Sequence, residues 1–283
     1  MSREFDFGAT VAEGGGKVFR NPELGAHDAI VAGIVHVGSF QDVFKKGNVL
    51  ETKAPANVVL VKLVLMNPDS DEKKDDGSPL TSDKNNDGSR IAKWIAIPLK
   101  KGDRANLTKF MKAVDPAEVK SGFDEVIGTP LTTNFVANEK GGKNDDGSWK
   151  YVDLDSYGSI ASRSAALVKA DAEDEGLTML GHIRFNDITD DVLDDIPPHL
   201  VRQYFISENK NGSKNLSYEG SVAERLINAK READPTWATK REGDNEDDKP
   251  QSDAKTEKTS AVPQEAPAPD APAPEGLNEN AEY

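Results

Sequence analysis

The sequence predicts a mainly β domain with a few helices, built as a small Greek-key barrel and followed by a disordered C-terminal tail. Three observations predict it. Five segments between residues 26 and 161 carry the β-branched and aromatic residues, or the period-2 alternation, of strands. Polar loops containing glycine separate those segments. From about Asp234 onward the chain turns to Glu, Asp, Lys, Pro, Ala and Ser, with too little apolar surface to offset the entropy of ordering. The 283 residues suffice for one sizeable domain or two small ones. The expected division is a flexible lead over 1–20, a folded domain over 21–233 and a tail over 234–283.

In chain order, "AEGGGKVFRN" has glycines and a lysine but not the spacing of a phosphate-binding loop, and no apolar strand precedes it. It reads as part of the lead. "AHDAIVAGIVHVGSF" is a β-branched run in which Gly33 and Gly38 suit a bulge or sharp bend. "ANVVLVKLVLM" is almost wholly apolar and should be a central strand. "RIAKWIAIPL" alternates, and Pro98 marks its end or an edge. A helix fits next, with Asp103 as N-cap and Leu107, Phe110, Met111 and Val114 along one stripe. "TPLTTNFVAN" and "WKYVDLDSYGSIA" form a pair joined by "EKGGKNDDGS". Beyond residue 160, "SRSAALVKADAEDEG" reads as a loop or short helix and "LTMLGHIRFND" as one more strand. "PPHLVRQYFISEN" and "GSVAERLINAKREAD" read as helices, with Pro197 and Pro198 opening the first. Five twisted strands with bulge glycines and one intervening helix fit an OB-fold-like barrel, the oligonucleotide-binding type. A β-sandwich would leave much the same trace.

Composition bounds the function. The absence of cysteine removes disulfides, thiolate catalysis and cysteine zinc sites, and fits a reducing cytoplasm. No apolar run approaches a membrane span, and "MSREFDFGAT" lacks a secretory core, so a soluble intracellular protein without a membrane partner is expected. The formal charge of −15 argues against a phosphate-bearing partner at first sight. Its distribution argues otherwise. Residues 240–283 hold five Lys or Arg against twelve Asp or Glu, a net of −7. Residues 67–89 hold three against seven, a net of −4, whereas residues 90–120 hold eight against three, a net of +5. This basic island is either a solvated helix face or a phosphate-contacting patch with the tail as its intramolecular competitor.

No motif names an enzyme, and none is expected. Asp83, Asn85, Asp87 and Gly88 occupy the early positions of a calcium loop, but the twelfth position, which needs a bidentate carboxylate, is Trp94. "DDGS" recurs at 75–78 and 145–148, which marks turn chemistry rather than a metal site. His27, His36, His182 and His199 show no metal-ligand spacing and read as structural. No metal or other cofactor is expected, and no serine stands in a nucleophile elbow.

The aromatic residues are more informative. With alternate strand residues sharing a face, Arg90 and Trp94 oppose Ile91, Ile95 and Ile97, while Trp149, Tyr151 and Tyr157 oppose Val152 and Leu154. Each strand so pairs an aliphatic face with an aromatic one. Bases stack on aromatic rings of any sequence context, gaining about 1–3 kcal/mol each, while cations hold the phosphates. The same rings could instead fill a second apolar layer under the C-terminal helices. "GSFQDVFKKGN" adds a loop with Phe40, Phe44, Lys45 and Lys46. The candidate phosphate contacts are Lys45, Lys46, Arg90, Lys93, Lys100, Lys101, Arg104, Lys109 and Lys150, and the stacking candidates are Phe44, Trp94, Trp149 and Tyr151.

"NPELGAHDAIVAGIVHVGSFQDVFKKGN", "VVLVKLVLM", the "GSP" loop and "IPPHLVRQYFISENKNGS" together resemble bacteriophage-encoded single-stranded DNA-binding proteins with an oligonucleotide-binding fold, over roughly residues 15–230. The resemblance implies a protein that coats exposed single strands in replication, recombination and repair, in the cytoplasm of an infected bacterial host, and it leaves homo-oligomerisation open. The tail is similar to the acidic tails of that class, whose tips dock on replication partners. Glu279, Glu282 and Tyr283 fit that plan, although the aspartate run and Ile-Pro-Phe ending of the bacterial version are missing. A phage polymerase, helicase or primase is the implied partner. The competing expectation is a structural capsid or tail component of a phage virion, since such proteins are also β-rich, acidic and cysteine-free.

Overall fold

A computed structural model describes residues 20–75, 77, 79–144, 147–208 and 212–239. The expected acidic tip, with Glu279, Glu282 and Tyr283, lies outside the described residues.

One long strand organises the fold. β1 (Gly25–Gln41) pairs antiparallel with β4 (Ala56–Leu65) from Ala29 to Phe40 and with β6 (Pro130–Ala137) from Gly25 to Ile30. β5 (Ala92–Pro98) adds to the far side of β4 and β7 (Val152–Gly158) to that of β6. The strand order is therefore β5–β4–β1–β6–β7, all antiparallel, and the sheet curls into a half-barrel. Its two outer strands share no ladder among the described residues, yet Ile95 of β5 and Val152 and Leu154 of β7 pack into the same core.

β1 serves several neighbours because it bends twice. Its register with β4 shifts between Val31 and Gly33 and again between His36 and Gly38, at the two glycines the sequence singles out. The first shift reverses the alternation, so Ala29, Val31 and then Ile34 enter one core. Gly33 is also required by close approach. A Cβ there would lie 2.8 Å from the Leu180 side chain, which leads into β8 (Gly181–Ile183), a short strand parallel to β1. Gly38 sits at φ +93°, against the Ser217 side chain.

The apolar run of β4 is explained by cover on both faces. Val59, Val61, Leu63 and Leu65 fill the inside of the curl. Val58 and Leu60 enter a second core under the C-terminal helices, and Val64 a third beneath α2 (Ser162–Asp174). Lys62 interrupts the run and is held by Asp195 at 2.5 Å.

α1 (Asn106–Val114) closes the inner core against β5, β6 and β7. Phe110 and Val114 are buried and Leu107 and Met111 half-buried, as the stripe predicts. Asp103 is not its cap. Residues 102–105 make a turn in which Ala105 N–H donates to Gly102 at 3.0 Å, and the helix starts one residue later with Ala105 at the N-cap.

The second core lies under α3 (Asp190–Asp195), α4 (Pro198–Leu200) with its π-helical continuation Val201–Ile206, and α5 (Val222–Ala233). Leu193, Val201, Phe205 and Ile227 meet Val35, Val37 and Phe40 there. Thr189 and Ser221 cap α3 and α5 through their hydroxyls. α2 has 13 residues where a loop or short helix is expected, and β8 only three. The packed chain also continues past residue 233. Ala238 is buried, Trp237 half-buried, and Arg202 donates to the Thr239 carbonyl at 2.8 Å.

The recurring Asp-Gly-Ser segments are one turn used three times. Bridges join Lys73 to Pro79, Lys84 to Arg90 and Lys143 to Trp149, and Gly77, Gly88 and Gly147 stand at φ +82°, +83° and +83°. Asp83 is not free to ligate calcium. Its carboxylate is buried, accepting from Asn67 N–H at 2.8 Å and lying 2.7 Å from His27 Nδ1. Among the described residues no helix is long and apolar enough to cross a membrane.

Candidate functional site

The fold sends the sequence-predicted contacts to two ends of the sheet. Arg90 lies at the end where β1 begins. It is bound bidentately by Glu175, with Oε1 at 2.6 Å and Oε2 at 2.8 Å, and also donates to the Asn67 carbonyl. That guanidinium, 7% exposed, holds the Glu175 carboxyl below its ordinary range and is committed to the fold. Trp149, Lys150 and Tyr151 lie at the same end, where Asn21 donates to the Trp149 and Lys150 carbonyls. Lys143 sits 4.6 Å over the Trp149 ring, and Tyr151 packs against Gly141. Lys93 is partly buried near Asn21, and burial, only partly offset by Asp153, lowers its pKa to about 8. Trp94 packs against the C-terminal helical layer with Lys62 at 5.9 Å. The four rings therefore form no common platform. On β5 the helices that follow residue 160 take the face that strand alternation had assigned to stacking, and on β7 Tyr157, expected opposite Val152 and Leu154, instead joins them in the inner core against Phe110.

Lys45, Lys46, Lys100 and Lys101 lie at the opposite end. Between β1 and β4 the chain makes a hairpin, β2 (Val43–Lys46) and β3 (Val49–Thr52), where a loop is expected. Gly47, at φ +62°, opens its two-residue turn, and Gly47-Asn48 between two short β-prone runs is the signal that could have found it. The hairpin carries Lys45 and Lys46, and Lys53 lies 4.8 Å over the half-buried Phe44 ring. Phe40 is core, packed on Tyr204. β5 ends at this same end, with Pro98 opposite Val58 and Leu99 N–H donating to Asn57 at 2.7 Å. Lys100, Lys101 and Arg104 follow at once, then Lys109 on α1. Lys45, Lys100, Lys101 and Lys109 are exposed and carry no ion pair among the described residues, while Lys46 sits 3.3 Å from Glu51.

Asn57 also lines a cleft of about 590 Å³ beside this corner, which local sequence could not reveal. His36 of β1 and His182 of β8, 146 positions apart, meet with their Nε2 atoms 2.9 Å apart. His182 Nδ1 lies 3.1 Å from Asp124. In the neutral pair His182 donates from Nδ1 to Asp124, so its Nε2 accepts from His36 Nε2–H. The Phe123 ring stands edge-on to both imidazoles at 5.9 and 5.7 Å. Phe185 and Arg184 complete the wall. Burial, the neighbouring His182 and the Arg184 charge together lower the His36 pKa. Arg184 is exposed and unpaired among the described residues. Among those residues no three acidic or histidine side chains gather to hold a metal ion.

Set beside known proteins, the chain matches no family model, no curated protein and no solved structure.

Proposed function

We propose that this protein binds single-stranded DNA, largely without regard to sequence, through the end of the half-barrel that carries the β2–β3 hairpin and the β5–α1 connection. One observation carries the reading: Lys45, Lys100 and Lys101, exposed and without ion-pair partners among the described residues, lie at the same end of the sheet in a protein whose net charge is −15, and Lys109 follows on α1. Unpaired like charges repel, and a polyanion is the partner that relieves them. The order of elements is compatible with an open version of the oligonucleotide-binding barrel, in which a three-strand meander, a capping helix and a final hairpin follow one another. A replication role in phage-infected cells rests on the resemblance of the sequence.

The test is a titration of labelled dT20 and of a matched duplex at low salt. Tighter retention of the single strand, weakening as salt rises, is the expected result. No retention of either would overturn the reading.

A further inference from the structure

We propose that the cleft between β1, β8 and the Phe123–Glu125 turn receives one unstacked nucleotide of the bound strand, with its base among Phe123, Phe185 and the histidine pair and its phosphate on Arg184. The inference rests on the function proposed above and gives that function a specific subsite.

Four features of the cleft fit that occupant. Its volume, about 590 Å³, lies within the range of small-ligand sites. Its walls supply flat rings from two separate elements, Phe123 after α1 and Phe185 after β8, so a base can be met from more than one side. The neutral histidine pair uses His36 Nε2–H and leaves His36 Nδ1 as an acceptor, and the Asn57 amide offers both donor and acceptor, so a base edge finds polar partners. Arg184 supplies the charge. It is near enough to depress His36, yet no carboxylate among the described residues neutralises it. By contrast Lys62, Arg90 and Lys230, whose side chains are mostly buried, are each held by a carboxylate.

The cleft also adjoins the basic corner. Asn57 lines it and accepts the Leu99 amide directly before Lys100 and Lys101. Asn57 also pairs with Ser39 of β1, so a strand whose phosphates follow those lysines meets the cleft at Asn57. β1's second bulge shapes part of the wall, because Gly38 lines the cleft and a side chain there would meet Ser217, another lining residue.

The experiment uses the full chain and dT20, with 5-iodouracil at single positions for photocrosslinking. Wild-type crosslinks are expected in the peptides containing Phe123 or Phe185. Arg184→Ala, an exposed change that leaves the fold intact, is expected to weaken dT20 binding at least about fivefold and to shallow its salt dependence. Phe185→Leu, which retains the apolar contact, should lose the crosslink at that position. If wild type binds dT20 while Arg184→Ala binds equally well and crosslinks fall only in the hairpin or at the Trp149 end, the subsite is wrong and the broader function stands. If wild type binds no dT20, both fall together.

Discussion

Neutralising Lys100 and Lys101 gives the sharpest measure of the proposed interface. Both are exposed and unpaired among the described residues, so Lys100→Gln/Lys101→Gln should change stability by no more than about 0.5 kcal/mol per site. Binding should respond differently. Each phosphate neutralised on a single strand contributes about −0.7 to the slope of log K against log salt. Lys45, Lys100, Lys101, Lys109 and Arg184 are five exposed cations without ion pairs among the described residues, and five phosphates met by them give a slope of about −3.5. Between about 50 and 200 mM salt, wild-type affinity should then fall about a hundredfold. The double variant retains three, with a slope of about −2.1, and should fall only about twentyfold over the same range. Fluorescence anisotropy of labelled dT20 reads both slopes directly. Equal slopes for the two proteins would mean that these lysines meet no phosphate, and the proposed path across the corner would have to be given up.

Other expectations follow from the same geometry. Deleting residues 240–283 removes a net charge of −7 and should tighten dT20 binding; equal or weaker binding would remove the competitor role of the tail. His27 donates from both ring nitrogens, to Asp83 and to the Glu23 carbonyl; burial opposes its charge, but these partners outweigh burial and raise the pKa above its ordinary 6.5. Its stabilisation is therefore full below about pH 6.5 and is lost as pH rises through the raised value, so the stability gap between wild type and His27→Gln in urea melts should narrow on going alkaline. A gap that widens would contradict the charged assignment. Asn215 is buried and donates to the Val37 and Tyr204 carbonyls while accepting from Ser217 N–H. Asn215→Ala should cost about 2–4 kcal/mol by denaturant titration, because it strands buried acceptors, and a loss below about 1 kcal/mol would show that they are otherwise satisfied.

Much of the scaffold was legible because its signals are local. Both bulges of β1, the almost wholly apolar β4, the stripe of α1 and the β6–β7 pair follow from residue type and period within a few positions. The Asp-Gly-Ser segments behave as turns because glycine there takes positive φ. The same local logic misplaced the interface. Alternation correctly put Trp94 opposite Ile95, but which face stays open depends on helices more than 90 residues further along, and those helices cover it. Arg90 looked available until Glu175 of the residues following α2 came within 2.6 Å.

By itself, then, the chain determined where strands, turns and the α1 helix form and where positive charge is concentrated, since propensity, periodicity and charge are carried by neighbouring residues. Tertiary structure alone decided which cations remain without counter-charges, which rings lose their exposure, and that His36, Phe123, His182 and Arg184 share one cleft. The reason is physical: desolvation and ion pairing depend on distance in space, and β1 with its two bends brings together residues separated by 146 positions in the chain.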